Sequence, residues 1–565
     1  MVFGNLSTGY WLGAAAAAGL HWVELGRGTL SSTGDTISVG AAAGWTLHSS
    51  SSIANGKITC TNTGESYKSY SGLGKPTDFV WDFTFTRNSG DAGNTSSIIL
   101  SSHNGGYGDP SSGQTNVQFY LANGNVTTLS VRKNSGSGNV QTECTFGVGS
   151  SSTNIQPTGT TKYYRIIKDG ADFSMKRYGS DSDRTSDSSA EASASATMTS
   201  TATSTWNSGS GDLSHIVIDG HASGAKNYSI DDIKFYKDKT TATGTPEINE
   251  TFSDLTAKPY LLLLASSKSA SGESYINWRF NSDTGSNYGY RYNTNGGSDA
   301  TGTDDRMLSY APTNDKWQFV TNFVMNNADQ EKLCQIETVT GSTAGAGNTP
   351  QRREIVGKWA NTSDSIIGVQ SYNSGSGDYA AGSEVVVLGY DPDDTEGTNV
   401  WEELASVDLS GGAAGNLSSG TFAAKKYLMF ELVITETGTQ TWGLQFNSDT
   451  GFQGTQSSYA IRYSGNGTSD GDSGSTWKAI GNYSGFGDPM YVHGFIINKS
   501  DEEKLIIAES NEGSSAGAGN APGRAEWVGK WANTSAQITS INIQKESSSH
   551  GDFATNTSMK VWGFD

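Results

Sequence analysis

Cysteine is nearly absent from this chain, with three thiols (Cys60, Cys144 and Cys334) in 565 residues. An odd, low count excludes a disulfide framework as the source of stability. Cys60 and Cys144 fall in one predicted domain, so a bond between those two stays open. Cys334 stands where an internal duplicate has Ile506, which marks it as a small buried apolar side chain. Proline is scarce at 10, and charged residues make up only 17%. Those charges sum to −20, a field that repels a polyphosphate backbone. The basic stretches 162–170 and 173–179 interleave bases with aromatics, as solvated strand faces do, so nucleic acid is not an expected partner. The seven histidines have no zinc-site spacing. Long apolar runs are also missing: the stretch Tyr10–Leu20 is brief and Gly/Ala-rich, too short to span a bilayer, and no membrane insertion is expected.

What is abundant is glycine, 71 residues, together with Ser, Thr and Asn, while aromatics hold at 10%. That aromatic content belongs to folded cores, not to disorder. The eight residues VGKWANTS at 356–363 return unchanged at 528–535, 172 positions later. DQEKL at 329–333 answers DEEKL at 501–505 with the same offset, and FNSDTG at 280–285 answers FNSDTG at 446–451. LGYD at 388–391 answers WGFD at 562–565. A unit this long is a domain with its own core rather than a solenoid repeat. Its apolar letters come in short runs between Gly, Asn, Asp and Ser, which is the pattern of strands and turns. In YAIRY, Tyr459, Ile461 and Tyr463 share one strand face. Trp359 and Trp531 are read as core anchors, with a sugar-stacking role as the alternative.

The chain therefore divides, on this reading, into a short N-terminal arm (1–29), a first domain (30–240) and two repeat copies (241–398 and 399–565). The arm lacks any Lys or Arg before Arg27, which argues against a signal peptide. Docking on a larger assembly and folding back on the first domain remain alternatives for it. WVEL at 22–25 and WEEL at 401–404 match over four letters only. In TDFVWDFTFTR (77–87), Phe79, Trp81, Phe83 and Phe85 alternate with mostly polar neighbours, a half-buried antiparallel strand. Asp169-Gly170 marks a hairpin. Residues 181–211, rich in Ser, Thr and Ala around Trp206, read as a polar excursion between strands.

The stretches KYYRIIKDGADFSMKRYG (162–179) and YSIDDIKFYK (228–237) resemble the closing strands of concanavalin A-like, laminin-G-like jelly rolls. The resemblance implies a two-sheet sandwich and a family in which carbohydrate binding is common and glycan cleavage occasional. The fold class expected is all-β: three tandem antiparallel β-sandwich (jelly-roll, lectin-like) domains behind the arm. The repeat copies, with VGKWxNTS and a terminal L/W-G-Y/F-D strand, are similar to repeats of virion surface and tail-appendage proteins of marine viruses.

Catalytic motifs fail on their context. Glucanase relatives of the jelly roll alternate carboxylates along one strand, and no such run is present. GTSDG at 467–471 lies in a Gly/Ser loop with no helix to make a nucleophile elbow. No enzyme activity and no cofactor are expected, calcium being the one ion that Asp391, Asp393 and Asp394, or Asp231 and Asp232, would suit as hard oxygen donors. The same carboxylates are ordinary in solvated turns. The expected function is a virion structural protein, a tail fibre, spike or capsid decoration, presenting lectin-like domains to host-surface glycans at the virion surface. Its partners would be other virion proteins through the arm and further copies of itself, with a trimer as the model for an appendage. The alternatives are a secreted adhesin or surface-layer component and a glycan-active enzyme. Candidate glycan contacts, offering flat aromatic faces and hydroxyl partners, are Tyr107, Tyr288, Tyr290, Arg291, Tyr292, Tyr459 and Arg462. The sequons at Asn361 and Asn533 are candidate glycosylation sites.

Overall fold

A computed structural model describes residues 21–565 except for loop stretches, chiefly 41–44, 89–94, 105–114, 134–141, 147–155, 207–211, 222–226, 238–245, 309–315, 395–398, 437–440, 450–457, 481–486 and 514–517, with shorter pieces between. Tyr107 and residues 1–20 of the expected arm lie outside the described residues. The chain is all-β and antiparallel, and it forms two compact units: residues 40–254, and residues 1–39 together with 255–565.

The unit 40–254 is a two-sheet sandwich. A six-stranded sheet runs from Thr142–Phe146 at one edge to Gly64–Gly74 at the other, and the second sheet centres on Asp78–Arg87, flanked by Thr160–Asp169 and Tyr228–Tyr236. Phe79, Trp81, Phe83 and Phe85 are all fully buried, as their alternation requires, and Phe83 stacks on Tyr164 at 5.5 Å. The strand is buried on both faces, not half-buried: Val80, Asp82 and Thr84 on the opposite face are 1%, 3% and 6% exposed, and Asp82 is held there by Arg165 through two contacts of 2.9 and 2.7 Å. Gly170 turns the hairpin with a φ of +59°, a conformation open to glycine at little cost. Cys60 and Cys144 are both buried, and no disulfide joins them.

The described residues of the segment 181–206 are not a solvated excursion. They form a short helix, Asp181–Thr185, and the edge strand Ala192–Thr197, which pairs with Asp172–Tyr178. Ala192, Ala194 and Ala196 pack inward, and Trp206 is 2% exposed beneath Lys168. Small alternating alanines gave too weak a hydrophobic pattern to read as a strand.

The second unit holds the duplication, and its strand orders correspond place for place. Copy 1 builds an eight-stranded sheet in the order Val23–Thr29, Glu384–Tyr390, Tyr260–Lys268, Trp317–Met325, Lys332–Thr340, Gln351–Trp359, Tyr288–Thr294, Ala300–Asp304. Copy 2 repeats it with Glu402–Asp408, Ser558–Phe564, Tyr427–Ile434, Gly487–Ile497, Lys504–Gly513, Gly523–Trp531, Tyr459–Gly465, Gly471–Thr476. A three-stranded sheet closes each sandwich: Thr36–Gly40, Gly368–Tyr372 and Asn277–Phe280 in copy 1, Asn416–Ser418, Ile541–Lys545 and Trp442–Phe446 in copy 2. Residues 23–40 thus belong to copy 1, in the places residues 402–418 take in copy 2.

This changes the expected domain boundaries. WVEL and WEEL are the true openings of the two copies, and each strand carries a register shift at the matching place, Glu24/Gly26 and Glu403/Ala405. The two-sheet sandwich of residues 40–254 is inserted into copy 1 instead of preceding it. Residues 23–29 are a sheet edge of copy 1 and not part of a separate arm. The pairing partner of this strand lies more than 350 residues away, and four matching letters cannot announce a contact of that range.

Each copy is closed by the same polar ties. The indole N–H of Trp359 donates to Asp283 Oδ2 at 2.7 Å, and that of Trp531 to Asp449 Oδ2 at 2.8 Å. Both indoles are 1% exposed, which makes them core anchors. The NSDTG turns therefore do more than reverse the chain: their Asp satisfies the one polar donor of a buried Trp, which costs free energy when left unpaired. Cys334 is buried, as its Ile506 counterpart is.

The outer faces of the two large sheets pack on one another within this unit. Trp22, Leu262, Leu264 and Phe319 of copy 1 share a core with Tyr427, Phe495, Ile507 and Trp562 of copy 2. Matching residues meet: Phe323 contacts Phe495, its counterpart, with ring centroids 6.1 Å apart. The match is incomplete at the ends, where Leu505 and Val528 are buried at 1% and 4% while Leu333 and Val356, their counterparts, are 46% and 55% exposed.

Candidate functional site

The sequence candidates do not converge. Tyr288 and Tyr459 are fully buried, their hydroxyls accepting the Phe280 and Phe446 amides at 2.9 and 3.0 Å, and burial pushes both phenols above their ordinary range. Neither reaches a ligand. Tyr290 and Tyr292 are half-buried against the copy 1 core, and Arg353 lies over the Tyr292 ring at 4.4 Å. Arg291 points to the other face and pairs with Asp299 at 3.2 Å, both exposed. Arg462 donates to Pro350 O at 2.8 Å, a tie between the copies. Period-two alternation explains the split: in YGYRY the tyrosines face the core and the arginine faces away.

Of the calcium candidates, Asp391, Asp394 and Asp232 have protein partners. Asp391 Oδ1 accepts the Asp393 amide at 3.0 Å, closing its own turn, and Asp394 pairs with Lys258 at 2.5 Å. Asp232 is held by Arg184 and by Lys234. Among the described residues, no group of three His, Cys, Asp or Glu side chains is placed to hold a metal ion. The sequon asparagines cap turns: Asn361 Oδ1 accepts the Ser363 and Asp364 amides, and Asn533 Oδ1 those of Ser535 and Ala536.

Among the described residues, an open groove lies where the copies meet. It has a volume of about 530 Å³ and is lined by Lys268, Trp317 and 380–382 of copy 1 and by Lys426, Lys499–Glu502 and Gln537 of copy 2. Strand ends position it. Lys268 closes Tyr260–Lys268, Trp317 opens the strand paired with it, and Lys499–Glu502 is the turn between Gly487–Ile497 and Lys504–Gly513. The Lys499 ammonium donates to Gly382 O at 3.0 Å and rests 3.7 Å from the centre of the Trp317 ring, a cation–π contact that bridges the copies. Burial, aided by the neighbouring Lys426, pushes the Lys499 pKa down to about 7. Lys426 pairs with Glu384 at 2.7 Å, and that carboxylate also accepts from Tyr427 and Thr29 at 2.8 Å. Burial raises the Glu502 carboxyl above its usual value.

No single-sequence motif announces this groove, but the duplication carries a signal. The turn reads NNADQ at 326–330 in copy 1 and NKSDE at 498–502 in copy 2, and Trp317 answers to Pro489. Lysine and tryptophan appear just where the two copies have diverged.

No protein-family model matches the chain, and no curated protein sequence does. Among solved structures, the chain is similar to the enzymatically active domain of tailspike protein 2 of bacteriophage CBA120, at 11% identity over 33% of this chain, with a TM-score of 0.23. That match spans 25% of the tailspike chain. The exoplasmic/lumenal domain of VIP36 matches at 8% identity over 41% of this chain and 99% of its own, TM-score 0.25. The LG1-3 region of the laminin alpha2 chain matches at 8% identity over 89% of this chain and 95% of its own, TM-score 0.19.

Proposed function

We propose that this chain is a non-enzymatic glycan-binding protein that uses the groove between its two repeat copies, and that it serves as a surface component of a virus particle, a fibre, spike or decoration. The observation that carries the binding reading is the groove itself: an open cleft walled by rigid strand ends of two domains and furnished with an indole and several hydrogen-bonding groups. Its lining favours binding over cleavage. Glycoside hydrolysis places two carboxyl groups on opposite sides of a bond. Here the two carboxylates that line the groove, Asp501 and Glu502, are neighbours on one turn, and the facing wall of Lys268, Trp317 and 380–382 supplies none.

The binding reading is tested on a glycan array with the full chain and its Trp317→Leu variant. Retention of the parent on surface polysaccharides and its loss in the variant supports the reading; no retention on any glycan rejects it. The virion role is tested by peptide mass spectrometry of density-purified particles. A fixed ratio to a major capsid protein supports it, and recovery in cell-envelope fractions alone rejects it.

A further inference from the structure

We infer that the groove takes an acidic saccharide, a sugar bearing a carboxylate that seats against the Lys499 ammonium. This rests on the glycan-binding reading and specifies its ligand. Three lysines, Lys268 from copy 1 and Lys426 and Lys499 from copy 2, line one cleft together with Asp501, Glu502 and the indole of Trp317. The Lys499 ammonium lies 3.7 Å from the centre of the Trp317 ring and covers one of its two faces. A neutral sugar stacking on that face would have to displace a cation from an aromatic ring. A carboxylate would instead join that cation, since the two attract and the ammonium has a donor to spare.

Lys499 is poorly compensated where it stands. Its one hydrogen bond goes to a neutral carbonyl, and among the described residues no carboxylate lies within ion-pairing distance of it. The charged groups that face it are Lys426, which opposes its charge, and Glu384, Glu502 and Asp501, which favour it. Glu384 is committed to Lys426, Tyr427 and Thr29, and Glu502 is itself raised by burial. With a pKa of about 7, Lys499 is charged in about half of the molecules at pH 7. A carboxylate seated beside it favours the charged form and draws in the missing proton. The chain's net charge of −20 repels a polyanion at long range, so recognition comes from contact inside the groove.

The test is isothermal titration calorimetry of the full chain at pH 7.0 with tetrasaccharides from galacturonan, alginate and hyaluronan, each beside its carboxyl-reduced form, in two buffers of different ionisation enthalpy. The expected result is that at least one acidic tetrasaccharide binds roughly tenfold or more tighter than its reduced form, with uptake of about 0.5 proton. Lys499→Arg, which keeps the charge but does not titrate, should retain the affinity within a few-fold and lose the proton uptake. Lys499→Met should lose the preference for the acidic form. Equal binding of acidic and reduced forms, or acidic binding with no proton uptake, overturns this inference and leaves the glycan-binding reading standing. Absence of binding by every one of these sugars overturns this inference, and retention or its absence on the glycan array then decides the glycan-binding reading. Thermal melts of the Arg and Met variants matching the parent show that folding is not what the titrations report.

Discussion

Replacing Glu431 by glutamine should stabilise the repeat unit, increasingly as the pH rises above about 4.5 and fully above about 7. Glu431 lies on the face of Tyr427–Ile434 that packs toward copy 1, 8% exposed, with Tyr491 Oη donating to its Oε1 at 3.0 Å. It stands in a row across the sheet, Lys560, Glu431, His493, Glu509 and Glu526, in which Lys560 alone is a close cation. Burial raises its carboxyl from 4.5 to about 7. Below pH 4.5 the acid is protonated folded or unfolded and costs nothing. Between 4.5 and 7 the folded chain holds a proton that the unfolded chain has released, so stability falls as pH rises, and above 7 the loss is complete. A shift of that size is worth about 3 kcal/mol. Glu431→Gln keeps the acceptor for Tyr491 and removes the ionisation. The difference in stability between variant and parent should therefore grow from near zero at pH 4 to about 3 kcal/mol at pH 8, or roughly 6–10 °C in Tm. Other titrating groups, Lys499 and His493 among them, shape each profile and cancel in the difference unless coupled to Glu431. Thermal melts of both proteins from pH 4 to 9 decide the matter. A difference that stays constant with pH refutes the argument that Glu431 is buried as the neutral acid.

Two further outcomes follow from ties seen in the structure. Asp470 of copy 2 holds Arg352 of copy 1 through contacts of 2.9 and 2.7 Å with side chains 1% and 4% exposed, so Asp470→Ala should cost about 3 kcal/mol by leaving a buried guanidinium with Glu354 alone; urea unfolding measures it, and a loss below 1 kcal/mol contradicts it. Asp449→Ala orphans the Trp531 indole N–H and should cost about 2 kcal/mol, with Asp283→Ala giving a like loss through Trp359; tryptophan fluorescence during denaturation reports both, and a neutral result in either would show that a water replaces the carboxylate.

Much of the fold was legible because it is written locally or twice. Alternating aromatics in 77–87 specified a strand with a buried face, and Asp169-Gly170 specified its neighbour's hairpin. The duplication at 172 residues identified two like domains, and the shared tryptophans in VGKWANTS were read correctly as core. The tyrosines proposed as sugar contacts show the limit of that approach. Period two places Tyr288 and Tyr290 on one face, but only packing tells which face the core takes.

By itself, then, the sequence determined the class of structure, the existence of the repeat, the side-chain alternation within strands and the turn chemistry, all of which depend on neighbours a few residues apart. The tertiary structure alone decided that residues 23–40 complete copy 1, that the sandwich of residues 40–254 is an insertion, and that the two repeat sheets pack face to face with Phe323 on Phe495. It alone brought Lys268, Trp317, Lys426 and Lys499 to one groove. These depend on contacts between strands tens to hundreds of residues apart, and a burial pattern along one strand carries no information about which distant strand will cover it.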